Sequence, residues 1–293
     1  MVFVPRRTPI GFTVDESRVE AIEAERERYV RLLVEETATA DVHLDAVYRL
    51  AMELLVLDPE CTWIWAWDAW AFAFQYHHAV VALGTSSRGT ELELFVDYES
   101  RSLVSPGAMA GADARTWLTA FFMGLICRDE KRVRHLASIP IERLRGEGKA
   151  RHPEYVYAWV SALQALINLD DRLVAHLREA MEGSDSHSRE DAGSALELDL
   201  LFFPQLDLLR AYLTGEPDDF ERTLVRGLEM FGDFHARSEE TDPLEQVLPL
   251  GLLGLASLVY DEAGRDPDQR MDVRSDYLPR VLLEGGRYGE CQV

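Results

Sequence analysis

The chain has 293 residues, 47% of them apolar and 10% aromatic, with 52 acidic residues against 30 basic ones and a formal charge of −22. That much apolar surface builds a substantial core, which excludes a globally disordered chain. The charge excludes a protein that holds nucleic acid or anionic membrane through Lys and Arg, and leaves a basic protein as the partner its surface would attract.

Helical periodicity dominates in chain order. A first helix is expected from after Asp15 to about Thr37. Its early turns are laced with Glu23/Arg26, Glu25/Arg28 and Glu27/Arg31 pairs, and Tyr29 and Leu33 provide its apolar stripe. A second covers Val42 to Leu57. Asp58-Pro59-Glu60 then reads as a helix start, with an N-cap acceptor, Pro at N1 and a carboxylate in the first turn. The third helix, Pro59 to about Leu83, places Trp63, Trp67, Trp70 and Phe74 at i, i+4, i+7 and i+11, on one face. Trp65, Phe72 and Tyr76 populate the adjoining faces, so this helix should be central, its aromatics a packed core rather than a ligand cage. Buried indole N–H groups need acceptors, and Asp68 and Gln75 are candidates.

After the Gly84–Gly89 break, Leu92, Leu94, Val96 and Tyr98 alternate with acids, the period-2 pattern of a half-buried strand. A turn near Glu99-Ser100 and a return strand to Ser105 make one small hairpin at about residues 90–105. Helices follow at about Asp113–Arg128, Asp129–Ser138, after Pro140, after Pro153 and at Asp170–Met181. The polar stretch 183–188 is the best linker and sub-domain boundary within what otherwise reads as a single domain of residues 1–293. The next helix is expected to be interrupted by Pro204. Further helices are expected from Pro217, from about Asp242 to Ala263, and near Asp276–Leu283. The sum is an all-α fold, an irregular array of antiparallel helices with no repeat period.

Signatures of chemistry are sparse. There is no phosphate-binding Gly-rich loop ending in Lys, no Gly-x-Ser-x-Gly elbow and no His-Glu-x-x-His helix. His77 and His78 are adjacent and point about 100° apart on a helix, too divergent to clamp one metal. Asp218-Asp219 has the look of an aspartate-rich magnesium motif, but Arg222 stands where a further carboxylate is wanted, and the helix dipole accounts for both acids. Cys61, Cys127 and Cys291 are odd in number and widely spaced, which speaks against a disulfide framework or zinc site. Cys61 and Cys127 read as small core residues. The longest apolar run, Val247–Tyr260, has 14 residues, against about 20 for a bilayer span. Met1–Phe12 has no signal-peptide pattern, so a cytoplasmic location is expected.

Charge is distributed unevenly: residues 1–146 carry −6 and residues 147–293 carry −16. The dense clusters are Asp185 with Glu190-Asp191, Glu216 with Asp218-Asp219, Glu239-Glu240-Asp242, and Asp261-Glu262. Such clusters either solvate the surface or steer a basic protein onto it.

A set of segments carries a resemblance. Thr116-Trp-Leu-Thr-Ala-Phe-Phe leads to Ile126-Cys-Arg-Asp129, followed by Ile139-Pro-Ile-Glu-Arg-Leu-Arg145, Glu154-Tyr-Val-Tyr-Ala-Trp159 and Ser275-Asp-Tyr-Leu-Pro-Arg-Val-Leu-Leu283. In this order, with Leu57-Asp-Pro-Glu60 ahead of the aromatic-rich helix, they resemble the immunity protein 49 family of bacterial polymorphic toxin systems. The four tryptophans between 63 and 70 are richer than that family's pattern. The resemblance implies a mostly helical cytosolic protein that binds and inactivates a toxin domain, with no catalytic residues and no cofactor. Arg128 and Asp129 then read as a structural junction between helices. The acidic character suits a basic nuclease as the toxin, bound by occlusion. Glu190, Asp191, Asp218, Asp219, Glu239, Glu240 and Asp242 are the candidate contacts, with no role for nucleic acid or membrane. The rival readings are a helical scaffold with several partners and a metal-dependent helical enzyme.

Overall fold

A short strand, β1 (Val2–Val4), precedes two helices, α1 (Arg18–Glu35) and α2 (Leu44–Leu57), which lead to the aromatic-rich helix α3 (Ile64–Thr85). The structure is a computed structural model and describes residues 2–10, 13–15, 17–146, 148–184, 192–238, 242–263 and 271–286. From Ala66 to its end, every residue of α3 except Asp68 is buried, as an apolar surface on all sides requires. Alanines let its neighbours come close, and at Gly84 there is no room for a side chain: a Cβ there would stand 2.3 Å from the Ala112 Cβ.

The start of α3 differs from the sequence expectation. Pro59 and Glu60 form a turn, Cys61 takes a left-handed φ of 56°, and the helix begins at Ile64. Asp58 still caps, but further on: its carboxylate accepts from the Trp63 N–H (2.6 Å) and the Thr62 hydroxyl (3.0 Å). The displaced turn has another task, because the Glu60 carboxylate and carbonyl accept the N–H groups of Arg280 and Val281.

The hairpin is present as β2 (Glu91–Val96) and β3 (Glu99–Val104), antiparallel, with Leu92 opposite Leu103 and Val96 opposite Glu99. Its turn is Asp97-Tyr98, two residues before the expected place, with φ of 54° and 62°. Both central residues left-handed is the type I′ geometry that matches strand twist. The acceptors proposed for tryptophan serve this turn instead: Gln75 accepts the Asp97 N–H (2.7 Å), and Asp68 accepts the Tyr98 hydroxyl. Among the described residues, the buried Trp67 and Trp159 indoles have no acceptor, whereas Trp117 donates to the Leu136 carbonyl at 2.9 Å.

Asp113 and Asp129 cap α4 (Ala114–Ile126) and α5 (Glu130–Ala137) by accepting the N–H groups of Thr116 and Arg132. After α6 (Ile141–Leu144) come α7 (Glu154–Asn168), which packs on α4 and α5, and α8 (Leu173–Gly183), which packs on α7. Of the expected linker, Gly183 ends α8 and Ser184 is buried; residues 185–188 lie outside the described residues, as does Cys291.

Pro204 does not interrupt its helix. Residues 192–214 run continuously through α9 (Ala192–Glu197), a π turn (Leu198–Phe202) and α10 (Phe203–Thr214). The wider turn sits immediately before the proline ring, and the Leu201 carbonyl accepts from the Gln205 side chain (2.9 Å). Helix α11 (Pro217–Arg237) opens at its proline as expected and buries Phe220, Leu224, Leu228 and Phe231.

The helix expected from Asp242 to Ala263 is two pieces. Asp242 caps a 3₁₀ turn (Pro243–Gln246), and α12 (Leu250–Ala263) starts after Pro249. The Pro243–Glu262 stretch is long and apolar enough to cross a bilayer by composition alone, but most of it is buried within the protein. The final helix is short, α13 (Arg280–Glu284), because residues 276–279 form a turn that follows β4 (Val273–Ser275). This strand pairs in parallel with β1, Val2 opposite Val273, a contact that three-residue strands are too short to announce by alternation. The fold is thus all-α with, among the described residues, two small two-stranded sheets, and most of the buried apolar residues belong to one cluster that reaches from Val4 to Leu283.

Candidate functional site

Of the seven candidate contact residues, Glu190, Asp191, Glu239 and Glu240 lie outside the described residues. Asp218 is exposed in the first turn of α11, where the helix dipole favours a carboxylate. Asp219, beside it, is half-buried and neutralised: its oxygens lie 3.3 Å from Arg210 and 3.5 Å from Arg222, and Arg210 also binds Asp207 at 2.7 Å. Asp242 pairs with Arg49 of α2 and caps the 3₁₀ turn through the Leu244 N–H (3.0 Å). Asp219 and Asp242 are thus anchored to different helices. In the turn that Asp242 caps, burial together with Glu197 and Asp45 pushes the Glu245 carboxyl above its ordinary range.

The buried polar groups are structural. His77 Nδ1 lies 2.7 Å from the Ala73 carbonyl, and burial lowers the imidazole to about 4. Its neighbour His78 turns away to meet His135, Nε2 to Nδ1 at 3.0 Å; burial keeps both low, with Arg132 acting in the same direction on His78. Lys149 donates to the carbonyls of Gly84 (3.0 Å) and Ala112, and burial lowers its ammonium to about 8. Burial pushes the Cys127 thiol up, which makes it a poor nucleophile. Among the described residues, no group of three or more His, Cys, Asp or Glu is placed to hold a metal ion. Arg128, as its motif suggested, is a junction: with φ 55° and its side chain almost covered, it donates to the carbonyls of Ile126 (2.6 Å), Leu282 (2.7 Å) and Leu283, and pairs with Asp261 at 3.0 Å.

Apolar lining and acid meet on the surface beside α7. A groove of about 770 Å³ runs between the C-terminal ends of α7 and α12 and the α4–α5 junction. Leu125, Leu166, Ile167 and Leu258 line it, and Leu169 stands at its edge, 90% exposed. Leu169 closes α7 with a left-handed φ of 53°, a conformation glycine or asparagine adopts more readily. Two of the acids lining the groove are neutralised, Glu130 by Arg134 and Asp261 by Arg128. Two others, Glu262 and Glu284, have no ion pair among the described residues, and Glu262 accepts the Tyr212 hydroxyl at 2.7 Å.

Tyr212 and Glu262 also line a second recess, of about 310 Å³, at the α10–α11 turn. Among the described residues its charged lining is Glu216, Glu221 and Glu262, all acidic. Sequence reading registered the Glu216 and Asp261-Glu262 clusters. The groove itself escaped it, because its walls come from positions more than 130 residues apart, and nothing in the sequence around Leu169 signals a left-handed, exposed leucine. A further cavity of about 660 Å³, between α4, α7, the π turn and α12, is largely apolar, with the Arg115–Glu197 pair (3.3 Å) among its lining.

Comparison with known proteins gives one match: the family model described as Immunity protein 49 matches residues 58–282. No curated protein and no solved structure is significantly similar to the chain.

Proposed function

Since the chain belongs to the immunity protein 49 family, we propose that it binds a cognate toxin domain in the cytoplasm of the cell that makes both, and inactivates it by covering the active or substrate-binding site. The family match over residues 58–282 carries this reading. Inhibition by binding needs no catalytic group and no cofactor, only a surface that fits. The charge of −22, with −16 in the second half of the chain, fits a basic toxin. A nuclease is the natural class, because an acidic surface occupies the place of its anionic substrate.

A standard interface buries about 1,200–2,000 Å², and a few central residues hold most of its energy. Acids at that centre, once paired and desolvated, would govern the off-rate; those at the rim would govern the on-rate. The test is to express the toxin domain encoded beside this gene, with and without this protein, scoring growth and purifying any complex. Restored growth together with a stable stoichiometric complex is the expected result. Unrelieved toxicity with no complex would refute the reading.

A further inference from the structure

We propose that the groove between the ends of α7 and α12 is the docking surface of this protein, and that it takes a toxin segment bearing an apolar side chain beside an arginine or lysine. This rests on the immunity reading and adds to it where the toxin is held and by what chemistry. Two independent features support it. Leu169 is 90% exposed in a left-handed conformation at the edge of the groove, next to half-buried Leu166 and Ile167. In the isolated protein this leucine gains almost no burial and sits where glycine or asparagine would be relaxed, so its side chain is free to pack against something from outside. A partner's apolar side chain laid on Leu166, Ile167 and Leu169 supplies that packing.

The second feature is charge. Among the described residues, the recess that shares Tyr212 and Glu262 with the groove is lined by three carboxylates, those of Glu216, Glu221 and Glu262, and by no basic side chain. Its remaining lining includes Leu213 and Val259, an apolar surface suited to the stem of an arginine or lysine. The Tyr212 hydroxyl fixes the Glu262 carboxylate in place before any partner arrives, so little order is lost when a cation pairs with it.

Three variants and the toxin domain encoded beside the gene test this, with affinity measured by titration and folding by thermal melting. Leu169→Asn is expected to weaken binding about tenfold while leaving the melting temperature unchanged or raised, an outcome that a structural role would not produce. Glu221→Gln with Glu262→Gln is expected to weaken binding about tenfold or more and to flatten its salt dependence. The matched double change on α1, Glu27→Gln with Glu35→Gln, removes the same charge from exposed positions and is expected to leave affinity within about twofold.

Wild-type affinity in both groove variants would overturn the docking site while leaving toxin binding intact. Equal losses from the groove and α1 double variants would do the same, by showing that only net charge matters. A Leu169→Asn protein with a clearly lowered melting temperature would make that leucine structural and remove the first feature. A wild-type protein that neither binds nor neutralises the toxin would bring down the immunity reading, and this docking site with it.

Discussion

His77 shows how a single buried group ties stability to pH. Its ring is enclosed in α3 with Nδ1 on the Ala73 carbonyl, and burial lowers it to about 4 from an unfolded value of 6.5. Above pH 6.5 the imidazole is neutral in both states and costs nothing. As pH falls from 6.5 towards 4, only the unfolded chain takes the proton, so stability is lost across that window, on the order of 3 kcal/mol at its end. Acidification also relieves repulsion among the carboxylates, so the clean measurement is a difference. Melting temperatures of wild type and His77→Gln, compared at pH 7 and pH 4.5, are expected to converge or cross as pH falls, the wild type losing more. Parallel curves would contradict the assignment. The sequence showed that His77 and His78 diverge; it had no means of showing that His78 meets His135, 57 residues away.

Junctions between helices proved harder to read than helices. Periodicity located the major helices because a buried stripe repeats every 3.6 residues, and alternation located the hairpin because a half-buried strand repeats every two. The errors fell where distant groups decide. Pro59 has the local marks of a helix start, yet its turn is held by backbone from α13; the hairpin turn is set by Gln75 and Asp68 of α3; Pro204 is absorbed by a π turn. Arg128 is the counterexample, a junction legible from its place between two helices. Its guanidinium joins the end of α4 to the carbonyls of α13 and to Asp261 of α12. Arg128→Met would keep the apolar stem but leave those carbonyls and Asp261 without their donor. A loss of about 2–4 kcal/mol is expected in urea unfolding. A change under about 0.5 kcal/mol would show that water replaces the donor at no cost.

Charge was the most legible property of the protein and its arrangement the least. The −22 and its concentration in the second half are plain from composition. Which acids are available to a partner is not, because folding consumes some of them: Asp219 is taken by Arg210 and Arg222, Asp242 by Arg49 and Asp261 by Arg128, whereas Glu262 has no ion pair among the described residues. The field of the whole charge still acts on encounter. Between about 0.05 M and 0.5 M salt the screening length falls severalfold, to about 4 Å. The on-rate for the toxin domain is therefore expected to drop at least about tenfold, with a smaller change in off-rate. Stopped-flow association across that range reads this directly. A flat on-rate would mean that the partner is not basic and that the acids serve solubility alone.

The pairing of β1 with β4 places a constraint on synthesis. Arg6 holds Asp276 across 270 residues of chain, its guanidinium stacks 4.6 Å above Tyr277, and Val2 pairs with Val273. At about 5–20 residues per second, the first strand leaves the ribosome tens of seconds before its partner exists. Until then α11, which packs on both strands, lacks the surface that completes it. The clasp can close only after residues 273–276 have left the ribosome, so chains that stop short of them lack this part of the native structure. If closure is required for neutralisation, competence follows the first strand by at least the time needed to make the intervening 270 residues. Toxin released within that interval would meet nascent protein that cannot yet hold it.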